Sequence, residues 1–423
     1  MKTVVVTGLG LMTPHGEVPD QVFAALMRGE SAVRRVFPEL PKPVAAATVA
    51  FDDTRWFTKL QLAGVDRVSQ LAVAAAGNAM NDAAVGNDLD RDRLGVYVGC
   101  GMGGATALDT AYRGAIAASG SAGAVSTGLA GSFATARVPP LTIPAFMPNA
   151  PAAHVAMRHQ AHGPVLTYSI ACAASAVAIA EAAKAVASGE VDLAIAGGAE
   201  AIIVPGVMLA WQAMHTLATF DADDVDAAAK AVRPFAADRS GFALGEGATF
   251  MILESEERAR SRGARIYATL KGWGYGCDAT HLTKPDVAGQ SRALRNALNR
   301  AGARPADIGY CNAHGTATRI GDIVESDALA MVWGDDLDAL RVSSTKALHG
   351  HMLGGAGALE AAITVLALHH RQLPPNAHCS EIDPACRLIL VPPDGMAAPD
   401  LQMAISNSFA FGGTNAVLVF ARA

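Results

Sequence analysis

VLTYSIACAASAVAIAEAAKAVASGE, residues 165–190, runs from a β-branched and aromatic strand through a tight turn at Cys172 into a helix of small residues ending near Gly189. VDLAIAGG (191–198) follows as a second, fully apolar strand, so the unit reads strand, turn, helix, strand. RVSSTKALHGHMLGGAGALEAAITVLALHHR (341–371) repeats the outline: a strand, a tight turn at His351, a helix of small residues, then a strand with a Gly pair in ISNSFAFGG (405–413). Two copies of one unit bring two helix N-termini together near a shared axis. Any two strand–helix units share this outline, so the pattern by itself leaves duplication open.

Around these units, short apolar runs alternate with Ala-rich segments, the pattern of a layered α/β fold. Strands are expected at 3–8, 94–99, 248–255, 307–314, 402–409 and 415–421, and helices at 66–85, 173–189, 255–263, 289–302, 322–333 and 355–371. The Ala/Gly/Ser tract at 115–134 fits neither class. Nothing in the composition marks a linker, and the chain reads as one core with residues 1–255 carrying Cys172 and residues 256–423 carrying His314 and His351.

The composition excludes several classes. With 33 basic against 39 acidic residues the 423-residue chain has a formal charge of −6 and only 17% charged residues, which gives no electrostatic footprint for nucleic acid. Apolar residues at 51% exclude a disordered chain. Six cysteines without CxxC spacing argue against both a disulfide framework and a zinc site. The longest apolar tract, Leu193 to Met214, is interrupted by Gly197, Gly198, Glu200 and Pro205, so it reads as a buried strand with its loop and not a membrane span. The N-terminus lacks a signal-peptide pattern, and a soluble cytoplasmic protein is expected.

Chemistry concentrates at three turns. Cys172 opens a helix, where backbone N–H groups and the dipole favour a thiolate and can receive an oxyanion. A buried cysteine is equally often a small hydrophobe. His314, in NAHGTAT, and His351, in ALHGHML, both end strands beside glycines, where an imidazole can face a cleft. Together with Cys172 they form a set suited to acyl-thioester chemistry. Lys346 and Glu360 flank His351 as a buried ion pair or as solvated surface groups. GLG at 8–10 lacks the third glycine of a dinucleotide fingerprint, since position 13 is Thr13, and there is no Walker or GxSxG motif.

The combination VVVTGLGLMTPHG, ACAAS, NAHGTAT, SSTKALHGHMLGGAGALE and NSFAFGGTNA resembles the elongating (KAS II-type) β-ketoacyl-acyl carrier protein synthases along essentially the whole chain. The resemblance implies the thiolase fold, a duplicated five-layer αβαβα core, and a homodimer. It implies Cys172 as the acyl-accepting nucleophile, His314 and His351 as promoters of malonyl decarboxylation, and Lys346 and Glu360 as their support. It also implies an oxyanion hole from the N–H groups of Cys172 and Phe411, and structural acids at Asp322 and Glu325. Thr283, Thr316 and Thr318 match residues that bind the pantetheine arm; Phe409 and Phe411 belong to a gate; Met102 and Trp211 match positions lining the acyl tunnel. Substrates ride on the phosphopantetheine arm of an acyl carrier protein, and no other cofactor or metal is expected.

Departures from the family pattern bear on substrate and partner. SIACAAS stands for TACxSG, Arg319 replaces a proline, and Ala410 replaces the first glycine of the gate, where its methyl group is expected to disfavour one gate conformation. The carrier-docking segment is TKLQLAGVDR, with only Lys59 and Arg67 basic. The reaction expected is decarboxylative condensation in fatty-acid synthesis, or the same chemistry in a type II polyketide or aryl polyene pathway, where a heterodimer with a related subunit is possible. A non-catalytic chain-length partner is disfavoured by the presence of Cys172 and both histidines. A thiolase is disfavoured because Cys386-Arg387-Leu388 does not supply its second cysteine motif.

Overall fold

A computed structural model describes residues 2–86, 89–118, 138–224 and 226–423. The N-terminal half contains β1 (Val4–Met12), α1 (Arg67–Asp82), β2 (Leu94–Gly99), β3 (Val165–Tyr168), α2 (Ala174–Ser188), β4 (Leu193–Glu200) and β5 (Gly247–Ser255). The C-terminal half contains β6 (Ala268–Cys277), α3 (Val287–Ala301), β7 (Tyr310–Asn312), α4 (Arg319–Trp333), β8 (Arg341–Ser343), α5 (Ala356–His370), β9 (Ile389–Leu390), β10 (Met403–Phe409) and β11 (Thr414–Arg422).

These eleven strands form one sheet in the order β9-β8-β7-β10-β11-β6-β1-β5-β4-β2-β3, and among the described residues five further short strands form a two-stranded and a three-stranded sheet. Apart from β9, an extra edge strand paired parallel with β8 in the C-terminal half alone, five strands in each half run 3-2-4-5-1 from the edge to the centre with the same senses: parallel, parallel, antiparallel and antiparallel. A shared order with shared senses resolves what the sequence pattern left open, and the core is duplicated. The halves join where β1 pairs antiparallel with β6, Val4 opposite Leu270.

Helices α2 and α5 pack on each other between the two half-sheets, α1 covers the outer face of one half, and α3 and α4 cover the outer face of the other. That gives five layers. Both central helices are buried along most of their length, and along its middle α2 meets water only where Glu181 pairs with Lys184. The segment Ala171–Ser188 is long and apolar enough to cross a membrane by length and composition, and 78% of it is buried in this core.

Two expectations are corrected. β6 falls in a stretch for which no strand is expected from the sequence, and the stretch after β4 is not a loop throughout but contains a helix, Pro205–Ala213, started by its N1 proline. The tract at 115–134 lies, from residue 119 on, outside the described residues.

Candidate active site

Cys172 sits in a one-turn 3₁₀ segment, Ala171–Ala173, that leads from β3 into α2. Ala171 adopts φ +43°, a left-handed conformation that costs a non-glycine residue roughly 1–2 kcal/mol and turns the chain sharply enough to present the next side chain at the helix mouth. The side chain is buried, and burial pushes the Cys172 thiol up to about 12, against the Lys346 charge and a hydrogen bond from the Phe411 N–H. The expected lowering by the helix terminus is thus outweighed by enclosure, and the resting sulfur is a thiol.

Its proton has an acceptor at hand. His351 Nε2 lies 3.1 Å from Cys172 Sγ. The His314 ring stands edge-on to His351, centroids 5.5 Å apart and planes at 81°. Burial, and then the Lys346 ammonium, hold both imidazoles well below their usual range, so both are neutral at physiological pH. Lys346 donates to the His314 carbonyl at 2.6 Å, lies 3.5 Å from His314 Nδ1 and pairs with Glu360. Both members of that pair are 1% exposed. Leaving either alone in the interior would cost several kcal/mol, which excludes the solvated alternative for both residues.

Further acids hold the loops. Glu325 accepts the N–H groups of His314 and Gly315 at 2.8 and 2.7 Å and the Asn407 amide at 3.0 Å, which fixes the His314 backbone. Asp322 accepts the Phe235 N–H at 2.7 Å and is raised to about 7 by burial. Sequence reasoning missed two residues. Buried Arg239 donates to the carbonyls of Thr318 and Arg319 and to Asp383, bracing the threonine loop. Glu200, fully buried, accepts the N–H groups of Gly101, Met102 and Gly354 at 2.8, 3.1 and 3.0 Å. The signal for Glu200 was its place in an otherwise apolar tract, where a carboxyl must find donors.

These groups open onto a cavity of about 650 Å³. Cys172, His314, His351, Thr283, Thr316, Thr318, Phe409, Phe411 and Trp211 all line it, while Lys346 and Glu360 sit behind the histidines. Thr316 and Thr318 hydroxyls are 3.0 Å apart, and Thr283 is exposed on a loop where its N–H bonds His281. Met102 is the exception: its side chain is 41% exposed and outside the cavity, because its backbone is turned towards Glu200.

Residues 1–259 match the family model "Beta-ketoacyl synthase, N-terminal domain" and residues 267–380 match "Beta-ketoacyl synthase, C-terminal domain". The chain belongs to the β-ketoacyl synthase family. It is therefore a condensing enzyme of the acyltransferase class. This synthase is 35% identical over 426 residues to 3-oxoacyl-[acyl-carrier-protein] synthase 2 of Staphylococcus aureus (strain N315), covering 99% of this chain and 98% of that one. It is 37% identical over 423 residues to Nodulation protein E of Rhizobium meliloti (strain 1021), covering 99% of each. Among solved structures, the ishigamide ketosynthase/chain length factor matches with a TM-score of 0.89 at 32% identity, over 100% of this chain and 99% of that one. A type II polyketide ketosynthase in complex with its acyl-carrier protein, AntDE:AntF, matches with a TM-score of 0.88 at 27% identity over 100% of both chains.

The left-handed backbone of the segment 410–413 falls on two glycines. Gly412 and Gly413 carry positive φ, +88° and +78°, and Ala410 does not, so its methyl group is unstrained in this conformation. Phe411 is stacked on Trp211, centroids 6.2 Å apart, and Gly412 N–H bonds the Leu282 carbonyl at 2.7 Å on the Thr283 loop. In the segment expected from the sequence to dock a carrier protein, Arg67 is bound to Glu246 at 2.6 Å, with its side chain 32% exposed.

Proposed function

We propose that the enzyme takes an acyl group onto Cys172 from an acyl-thioester and condenses it with malonyl-acyl carrier protein, releasing CO₂ and 3-oxoacyl-acyl carrier protein. The observation that carries this is the 3.1 Å approach of His351 Nε2 to Cys172 Sγ, with neutral His314 edge-on beside them. The thiol passes its proton to His351 as sulfur attacks the thioester carbonyl, and the proton leaves with the departing pantetheine thiol. The tetrahedral oxyanion is held by the N–H groups of Cys172 and Phe411. Malonyl-thioester then loses CO₂, and the electrons of the broken C–C bond pass to an enolate oxygen that accepts from both imidazoles. The enolate carbon attacks the acyl-enzyme, forming the new C–C bond and breaking the C–S bond, so Cys172 leaves as thiolate and regains its proton from water by way of His351. Nucleophile, proton acceptor and oxyanion donors are all protein groups, so the steps call on no cofactor beyond the substrate's own phosphopantetheine arm.

Thr283, Thr316 and Thr318 are assigned to that arm, and Trp211 and Phe411 to the acyl chain. We assign the reaction to fatty-acid elongation. The second reading, a ketosynthase of a polyketide or aryl polyene pathway, is favoured by the likeness to a ketosynthase/chain length factor pair. A homodimer, or a heterodimer with a related subunit, is supported by the unpaired edge strand β3 with exposed Val165 and Leu166. We assign the enzyme to the cytoplasm, in keeping with the burial of the segment Ala171–Ser188 in the core. A panel of carrier proteins tests the reading: acyl transfer to Cys172 followed by release of CO₂ from malonyl-thioester is expected. Removing His314 should slow decarboxylation about 10²–10³-fold, the loss typical of one oxyanion donor. Decarboxylation at the unmodified rate in the His314→Ala and His351→Ala variants would exclude the assigned role.

A further inference from the structure

The catalytic trio has a second chemical capacity. One ligand atom each from Cys172, His314 and His351 lie within 4.8 Å of one another, all three side chains are buried, and among the described residues they are the one such cluster of three histidine, cysteine or acidic groups. Three donors on a tetrahedral zinc ion, with bonds of about 2.3 Å to sulfur and 2.0–2.1 Å to nitrogen, are separated by roughly 3.3–3.6 Å. Contraction by about 1 Å therefore completes three corners of a tetrahedron, and the cavity supplies the open fourth.

We propose that this trio is an inhibitory site for a thiophilic divalent cation such as Zn²⁺, which ties up the nucleophile and both imidazoles at once. The ligand types are those zinc prefers, one sulfur and two imidazole nitrogens. His314 turns Nδ1 towards Lys346, which leaves Nε2 for the ion, and His351 already directs Nε2 at Cys172. The reaction balances as Cys172–SH plus M²⁺ giving Cys172–S–M⁺ plus H⁺, with one proton released to water or buffer and the imidazoles binding as neutral ligands. The fourth corner takes water from the cavity. Glu360 neutralises Lys346 behind the histidines, so the nearest fixed cation does not stand uncompensated against the ion.

Cobalt is the probe that reads the ligands themselves. The full chain titrated with Co²⁺ is expected to develop a thiolate-to-cobalt charge-transfer band at one equivalent, to lose it when Zn²⁺ is added, and to show no band after Cys172 has been alkylated. Condensation should be inhibited by Zn²⁺ and restored by a chelator. His314→Ala and Cys172→Ser should each weaken Zn²⁺ binding by at least about tenfold in competition with a chromophoric chelator. Melting temperatures near that of the unmodified protein, measured in parallel, establish that the variants are folded. Undiminished binding in the folded Cys172→Ser variant would overturn the proposal, since the ion would then sit elsewhere, for instance on exposed Cys277. Absence of the charge-transfer band in the unmodified protein would overturn it equally.

Discussion

The heads of α2 and α5 are built alike and used differently. Each is a one-turn 3₁₀ segment, Ala171–Ala173 or Leu353–Gly355, feeding a 15-residue helix. Each begins on a residue forced to positive φ, Ala171 at +43° and Leu353 at +39°, and each helix ends on a left-handed residue, Gly189 or Arg371. The second position of the turn is Cys172 in one and Gly354 in the other. Cys172 faces the cavity and His351, whereas the Gly354 N–H is taken by Glu200, which also binds the loop after β2. Glu325 holds the corresponding loop after β7, the one that carries His314. Duplication therefore supplied two sharp elbows, while the buried acids beside them come from different elements, Glu200 from the end of β4 and Glu325 from α4. Only one elbow bears a nucleophile, and the acid at the other acts as a tie between the halves.

Substitutions at the two second positions should separate these roles most strongly. A Cβ on Gly354 would meet Gly101 N at 2.3 Å and Glu200 Oε2 at 2.9 Å, so Gly354→Ala is expected to cost about 3 kcal/mol or more in thermal or urea unfolding. Cys172→Ala removes activity but should change stability by no more than about 1–2 kcal/mol. Equal losses of stability would break the contrast.

Glu200 should sharpen it through pH. Burial raises its carboxyl from 4.5 to about 7, with the three N–H groups pulling the other way. The unfolded chain releases this proton near 4.5 and the fold keeps it to about 7, so stability is whole below 4.5 and is lost as pH rises through 7. At roughly 1.4 kcal/mol per pH unit the loss is about 3 kcal/mol, and Glu200→Gln should remove that slope from unfolding measured between pH 5 and 8. An unchanged slope would place the titration elsewhere.

Smaller effects test the elbows and the gate. Ala171→Gly relieves the left-handed strain and should stabilise by about 0.5–1 kcal/mol after the larger entropy of an unfolded glycine is subtracted, and a melting curve reads this directly. Ala410→Gly should alter pre-steady-state acylation of Cys172 by less than about threefold, because the positive φ values of the gate fall on Gly412 and Gly413. A larger acceleration would mean that residue 410 crosses into the left-handed region when the gate opens.

The clustering of Cys172, His314 and His351 and both central helices were legible because the cysteine, the histidines and the helix starts all follow short strands, where sequence and position coincide. β6 was not. Its sequence, ATLKGWGYGC, alternates glycines, and a glycine-rich strand resembles a loop until its neighbour is known. Added Cβ atoms on Gly272 and Gly274 would lie 2.6 and 2.2 Å from the carbonyls of Ala297 and Ala293 on α3. The glycines are there so that α3 can press against the strand that joins the two halves, and no local pattern reports such a contact. The lowered thiol expected at Cys172 failed for a related reason: the helix terminus is visible in the sequence, and the depth of burial is not. Met102 was carried into the tunnel by resemblance and lies outside the cavity, since the tie to Glu200 is a tertiary contact.

The central claim is that the elbow at Cys172, and not its counterpart or another thiol, receives the acyl group. Peptide mass spectrometry of the protein after brief exposure to an acyl-thioester tests this most directly. The account requires one added acyl group, on the peptide containing Cys172, and none in the Cys172→Ala variant. An acyl group on Cys100, Cys277, Cys311, Cys379 or Cys386, persisting in that variant, would contradict it.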